Sequence, residues 1–314
     1  MGGGTASSAC TESDCGSHKW PCWKMPNPAS EKLPNAQSYT DLGAGGSGAL
    51  RDNITCLVWE KSPPTPPSGT TWYWQDNYDH CASLASSNFA GYNDWRLPTR
   101  IEMTSITDVA KGGYAPAFTA PNAYYRTGSD WYETITGQNP NGYSWIFGWN
   151  GFTSNAYSKT SAGAIARCVR GNGKGEAQGE FAVEPPNHYT IANGEVTDNY
   201  TGLTWQQGFS DTMDHASAVA YCSSLTLNGN TWRLPTINEL ASTVNEALVG
   251  GAINRTAFPN NPNGCKKPEY WFWGAEGSGS VFWGLSYCDG FTGTNDGASG
   301  AWNYFPTARV RCVR

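Results

Sequence analysis

The chain has 314 residues, a net charge of −6, a pI near 5.2 and only 15% charged residues. That length suits about two domains, and an acidic, charge-poor chain lacks the clustered basic face of a nucleic-acid binder. Aromatics make up 13% of the residues, which excludes a disordered chain, and no stretch approaches the ~18 apolar residues of a membrane span.

In chain order, residues 1–50 come first. Met1-Gly-Gly-Gly fits a start from which an export signal has been removed. Cys10, Cys15, Cys22 and the flexible run 43–48 then mark a disulfide-tied extension or an oligomerisation arm.

From residue 51 the chain repeats itself. Asp52-Asn53-Ile54-Thr55-Cys56-Leu57-Val58-Trp59 matches Asp198-Asn199-Tyr200-Thr201-Gly202-Leu203-Thr204-Trp205. Trp95-Arg96-Leu97-Pro98-Thr99 recurs as Trp232-Arg233-Leu234-Pro235-Thr236, and Arg167-Cys168-Val169-Arg170 as Arg311-Cys312-Val313-Arg314. The landmarks keep their order while the loops between them change length, as in a duplicated domain. The expected division is an extension (1–50), repeat one (51–170), a Gly/Glu/Pro-rich linker (171–187) and repeat two (188–314).

Each repeat opens with a short strand, Leu57 to Trp59 or Leu203 to Trp205. A helix follows, with Ala218, Cys222 and Leu225 on one stripe and Ser210 or Asp211 as its cap. The Trp-Arg-Leu-Pro-Thr segment leads into a second helix, because Thr99-x-x-Glu102 and Thr236-x-x-Glu239 are capping boxes. In repeat two this helix is expected to carry Ile237, Leu240, Val244 and Leu248. A Gly-, Asn- and aromatic-rich region of short antiparallel strands comes next. A terminal strand with Ile165 and Val169, or Val310 and Val313, closes each repeat. The fold class is α+β: two helices and a small, loop-rich β region per repeat.

The ten cysteines, without C-x-x-C and with only four His, point to disulfides in an oxidising compartment rather than to zinc. Joining the first helix to the last strand predicts Cys81–Cys168 and Cys222–Cys312. Cys265 and Cys288 remain as a pair inside repeat two. Cys56 stands where repeat two has Gly202, and would staple the extension through Cys10, Cys15 or Cys22.

Function is expected in the segment Tyr270 to Phe305, where 11 aromatics alternate with Ser, Gly and Asn. Such mixtures make adaptable contact surfaces, although a loop-rich domain also needs Trp for its core. Strand alternation would turn one of Trp271 and Phe272 inward, and one of Phe282 and Trp283. Trp273, Trp283, Tyr287, Asp289, Asn295, Trp302 and Tyr304 are the expected exposed, ligand-binding residues. The recurring Trp95/Trp232 and Arg96/Arg233 read as scaffold, with each Arg available to Glu102 or Glu239. Asn93-Asp94 and Asn295-Asp296 are the oxygen donors available to calcium, but neither sits in a dense acidic loop. No cofactor, metal site or catalytic residue is expected: Asp79-His80 and Asp214-His215 are sequence neighbours that do not face one another on a helix.

Taken together, Asp-Asn-x-Thr-Gly-Leu-Thr-Trp, Trp-Arg-Leu-Pro-Thr-x-x-Glu-Leu and the terminal Val-Arg-Cys-Val-Arg resemble the C-terminal domain family of the Legionella collagen-like adhesin (Lcl). Repeat two matches throughout, whereas repeat one departs at Cys56, Val58 and Met103. The resemblance implies two tandem C-type-lectin-like domains, a secreted or cell-surface bacterial location, and non-covalent binding of glycans or cell-surface proteins. It carries over no collagen-like stalk. Three alternatives stand beside it. One is a variable receptor diversified by a retroelement between Tyr270 and Phe305. Another is a self-assembling appendage subunit, hence a homo-oligomer. The third is a formylglycine-generating-type redox enzyme using Cys265 and Cys288.

Overall fold

The computed structural model describes residues 20–43, 48–67, 71–119, 122–131, 142–148, 153–171, 184–248, 252–259, 269–296 and 305–314. After the segment 20–38, the chain runs β1 (Tyr39–Asp41), which lies within the extension and pairs with β2 (Ala49–Asp52), and then β3 (Val58–Glu60), α1 (Trp74–Ser86) and α2 (Arg100–Ser105) of repeat one. It continues through β4 (Thr107–Asp108), β5 (Gly113–Tyr114), β6 (Tyr124–Asp130), β7 (Tyr143–Phe147), β8 (Thr153–Ser158), β9 (Ala164–Ala166) and β10 (Val169–Arg170). Repeat two runs β11 (Tyr189–Ala192), β12 (Glu195–Asp198), β13 (Thr204–Gln206), α3 (His215–Ser224), α4 (Ile237–Ser242), β14 (Trp271–Ser278), β15 (Val281–Ser286) and β16 (Thr292–Thr294). The fold is α+β, and most strand pairs are antiparallel; β6 with β9 is a parallel pair.

The repeated motifs make the same bonds twice. Thr99 and Thr236 cap α2 and α4, and Glu102 and Glu239 return to the cap amides, which completes both capping boxes. Each of these glutamates also takes a two-pronged grip from the preceding arginine, at 2.6 and 2.7 Å from Arg96 and at 2.7 Å twice from Arg233. Trp95 and Trp232 are buried and donate their ring N–H to loop carbonyls of Phe89 and Leu227. The predicted clamps Cys81–Cys168 and Cys222–Cys312 are present, with Cα separations of 5.5 Å in both. Cys22, Cys56 and Cys288 are also disulfide-bonded; Cys10, Cys15 and Cys265 lie outside the described residues.

Asp52 and Asp198 accept the amides of Ile54 and Thr55, and of Tyr200 and Thr201, so each turns the chain into the next strand. That turn needs a left-handed residue. Gly202 supplies it at φ 79°, and Cys56 adopts φ 64° at the matching place, a strained conformation for a residue with a side chain.

Two helical expectations change. The first helix of repeat two is capped by Asp214, whose carboxylate accepts the Ser217 amide, not by Ser210 or Asp211. The second ends at Ser242, and Val244 bridges to Ile253 instead of continuing the helix. The side chains of Ser242 and Thr243 donate back to the carbonyls of Glu239 and Leu240 and so occupy the last turn.

One apolar core runs through both repeats, from Trp59, Tyr125 and Phe147 to Trp205, Phe272 and Tyr287. At its centre the short helices α2 and α4 meet, and all twelve of their residues are buried. Polar groups at this seam are paired across it. Arg100 Nε donates to Glu246 at 2.7 Å, and Thr107 bonds Asn238 at 3.0 Å. The segment before β1 closes the seam. Asn27 donates to Glu239 and accepts from Thr236, while Gln37 donates to the carbonyls of Ser105 and Thr107. The extension thus ties the start of repeat two's helix to the end of repeat one's.

Candidate binding surface

The aromatics expected on the surface of repeat two are largely interior. Trp273 is 1% exposed and Tyr287 1%, with Trp283 at 7%. The Trp273 ring N–H donates to the Met213 carbonyl at 2.8 Å, and its ring meets His215 edge-on. The Tyr287 hydroxyl bonds Thr243 at 2.6 Å, deep in the shared core. Asp289 and Asn295 are half-buried and make turn contacts: Asp289 accepts from Ser286, while Asn295 accepts the Phe282 amide and donates to Ser280. Trp302 and Tyr304 lie outside the described residues.

The physical reason for the correction is that β14 is covered on both faces. Phe272 enters the core shared by the repeats, whereas Trp271 and Trp273 enter a second core with Trp232, Tyr270 and Phe305. Trp271 and Phe272 are therefore both buried, and the period of two separates one core from the other rather than core from water. Phe282 is half-buried against the second core, and Trp283 belongs to the first.

Among the described residues, exposed aromatic area is found instead on repeat one. Tyr73 is 49% exposed, Tyr78 41% and Tyr124 39%. They sit on elements that converge on the turn after β8. The Trp74 amide donates to the Lys159 carbonyl, and the Gly163 amide to that of Trp72. Tyr124 pairs with Ala164 in the β6–β9 ladder. Buried Arg126 fixes the turn from below through the carbonyls of Ser158 and Ser161, at 3.0 and 2.6 Å. Tyr78 stacks on Trp74 at 5.7 Å between centroids, and Lys159 Nζ lies 4.8 Å over the same Trp74 ring. Lys159 also pairs with Asp130 at 2.5 Å; burial pushes the Asp130 carboxyl up, and Lys159 pulls it back.

This surface was not among the expected sites, yet the sequence held a signal for it. Counted from the paired helix cysteines, Trp72-Tyr73-Trp74 and Tyr78 fall where repeat two has Met213-Asp214-His215 and Val219. The aromatic run is private to repeat one.

The other candidates have structural partners. Asp94 is held by Arg170 at 2.9 Å, and Asn295 accepts the Phe282 amide at 2.8 Å. Asp214 caps its helix, and His215 lies flat on Phe282 with 3.8 Å between centroids; burial lowers the His215 pKa. His188 stands between Asp198 at 3.2 Å and Glu184 at 3.6 Å. Burial would lower His188, but the two carboxylates outweigh it and raise the pKa. Glu184 in turn accepts from Asn245 and Asn254, which ties the stretch before β11 to repeat two. Among the described residues one His/Cys/Glu group has metal-ligand spacing, Glu60, His80 and Cys168; its sulfur is held in the Cys81 disulfide. Cys288 is disulfide-bonded.

With this geometry in hand, a family model described as the Lcl C-terminal domain matches the chain twice, over residues 48–170 and 194–314. No curated protein matches with significance. Among the described residues, no helix is long and apolar enough to cross a membrane.

Proposed function

From the premise that the chain belongs to the Lcl C-terminal domain family in two tandem copies, we propose that it is a bacterial surface or secreted adhesion protein. Its two domains are C-type-lectin-like, and it acts by non-covalent recognition of glycans or cell-surface proteins rather than by catalysis. The paired cysteines support an oxidising, extracellular setting.

The observation that carries the reading is the trio Tyr73, Tyr78 and Tyr124, exposed on a disulfide-clamped repeat. Tyrosine rings on a rigid frame give contact area at low entropic cost, and their faces stack on the apolar faces of sugars. Trp302 and Tyr304 remain candidates for a second contact in repeat two.

Glycan-array and whole-cell binding of the full chain test this reading against Y73A/Y78A/Y124A and W302A/Y304A. The triple variant should bind at least tenfold more weakly, since about 1.4 kcal/mol of contact corresponds to that factor, while its unfolding midpoint stays within a few degrees. Unchanged binding by both variants would overturn the reading.

A further inference from the structure

We propose that repeat one carries a second form of its clamp: with the Cys81–Cys168 disulfide reduced, Cys81, Cys168, His80 and Glu60 form a four-donor site for a divalent zinc-like cation. The donors come from three elements. Glu60 ends β3, His80 and Cys81 lie on α1, and Cys168 lies between β9 and β10. A ligand atom of each of Glu60, His80 and Cys168 lies within 4.8 Å of the other two, and Cys81 Sγ is bonded to Cys168 Sγ.

His80 Nε2 and Glu60 Oε1 are 3.0 Å apart. Donors about 2.0–2.1 Å from a tetrahedral metal are separated by roughly 3.3 Å, so this edge is nearly preformed. The two sulfurs would have to part to about 3.8 Å to sit roughly 2.3 Å from the same metal. Glu60 is steadied for the role, since its other oxygen accepts the Cys168 amide at 3.2 Å. The His80 and Glu60 side chains are 14% and 5% exposed, which leaves the site mostly dry.

Repeat two supplies an internal control. There the same clamp faces Gln206 and Tyr221, joined at 2.7 Å, and Gln206 accepts the Cys312 amide at 3.3 Å just as Glu60 accepts that of Cys168. The scaffold therefore works with a neutral amide and a phenol. A carboxylate and an imidazole beside the sulfurs are not needed to close a disulfide, but they complete a metal-ligand set.

The chemistry balances simply. A dithiol or phosphine reductant gives the disulfide two electrons, and two protons are taken up to make two thiols. The cation then displaces both protons and is held by two thiolates, the imidazole and the carboxylate. In that state the metal joins α1 to the terminal strand in place of the covalent bond.

The full chain is reduced with a phosphine and titrated with Co2+, whose thiolate charge-transfer absorption reports sulfur ligation. One tight equivalent is expected in the wild-type chain and in C222S/C312S. E60Q/H80Y transplants repeat two's own pair and preserves every cysteine; it should bind at least about a hundredfold more weakly. Absence of thiolate-bound cobalt in the reduced chain would overturn the proposal. So would equal binding by E60Q/H80Y, which would show adventitious capture by the other thiols. A second readout is reoxidation: Zn2+ should slow re-formation of Cys81–Cys168 in the wild type more than in E60Q/H80Y, and equal slowing would count against the site.

Discussion

The two repeats use one backbone plan with different material between the first helix and the sheet. In repeat one that layer is polar: Arg126 reaches Ser144 and the turn carbonyls, and Trp74 carries Lys159 and Tyr78. In repeat two the matching strand position holds Trp273, packed with His215, Phe282 and Phe305. The helix-start contacts diverge in the same way. The Arg100 amide donates to the Ser129 hydroxyl, whereas the Ile237 amide donates to both oxygens of Glu276. The lesson is that the repeated motifs fix the chain path, while the layer above the sheet is free to be built on a buried arginine in one copy and on a buried tryptophan in the other.

The strictest way to break that comparison is to cut the clamps. Their sequence separations are 87 and 90 residues, so loop entropy assigns them nearly equal stabilisation, about 4–5 kcal/mol each. C81S/C168S and C222S/C312S should therefore lose stability to within about 1 kcal/mol of each other in denaturant unfolding. A much larger loss in one repeat would show that the two frames do not bear load alike.

Trp273→Ala sharpens the second half of the comparison. A buried Trp lost to a cavity costs about 3–5 kcal/mol, and the Met213 carbonyl also loses one of its two donors, keeping the Ala308 amide. The effect should appear in unfolding and not as a selective loss of ligand binding. A variant of normal stability that binds ligand poorly would return Trp273 to the surface.

Glu276 gives a pH test. Burial pushes its carboxyl up to about 8, against about 4.3 for a free Glu. The folded state therefore holds the proton more tightly than the unfolded chain does. Its stabilising contribution is complete below about pH 4.3, declines as pH rises, and is exhausted above pH 8. Glu276→Gln should remove that decline and leave the protein about 3–4 kcal/mol more stable at pH 7. At position 129 a serine does the same job, so Ser129→Ala should leave the pH slope unchanged. A wild-type protein with no fall in stability between pH 5 and 8 would contradict the assignment.

How much of this was legible in the sequence depended on the range of the interaction. The capping boxes, the Arg–Glu grips and both clamps were readable because each is local or tied to a repeated landmark. The burial of Trp273, Trp283 and Tyr287 was not readable, because a period of two reveals that a strand has two faces but not that both are dry. The seam was hidden for a similar reason. Arg100, Glu246 and Asn238 look like surface residues until the two repeats and the extension meet, which brings Glu246 to Arg100, and the carbonyls of Thr107 and Pro26 to Asn238. The Tyr73 surface is legible only where the repeats differ, because aromatic density alone does not separate surface rings from core rings.

The smallest expected effect separates local from seam stabilisation. Thr99 and Thr236 make the same capping box, and Ser/Thr→Ala at such a cap costs about 1 kcal/mol. Thr236 does one thing more: its hydroxyl donates to Asn27 at 2.9 Å, and Asn27 in turn reaches Glu239 at 3.1 Å. Removing that hydroxyl leaves a buried Asn27 oxygen without this donor, an added cost of about 1–2 kcal/mol. Thr236→Ala should therefore destabilise more than Thr99→Ala, and the excess should vanish in an Asn27→Ala background, where no oxygen is left to satisfy. That double-mutant cycle isolates the bond between extension and repeat two. Equal losses from the two threonines would mean that the segment before β1 merely lies on α4 without holding it.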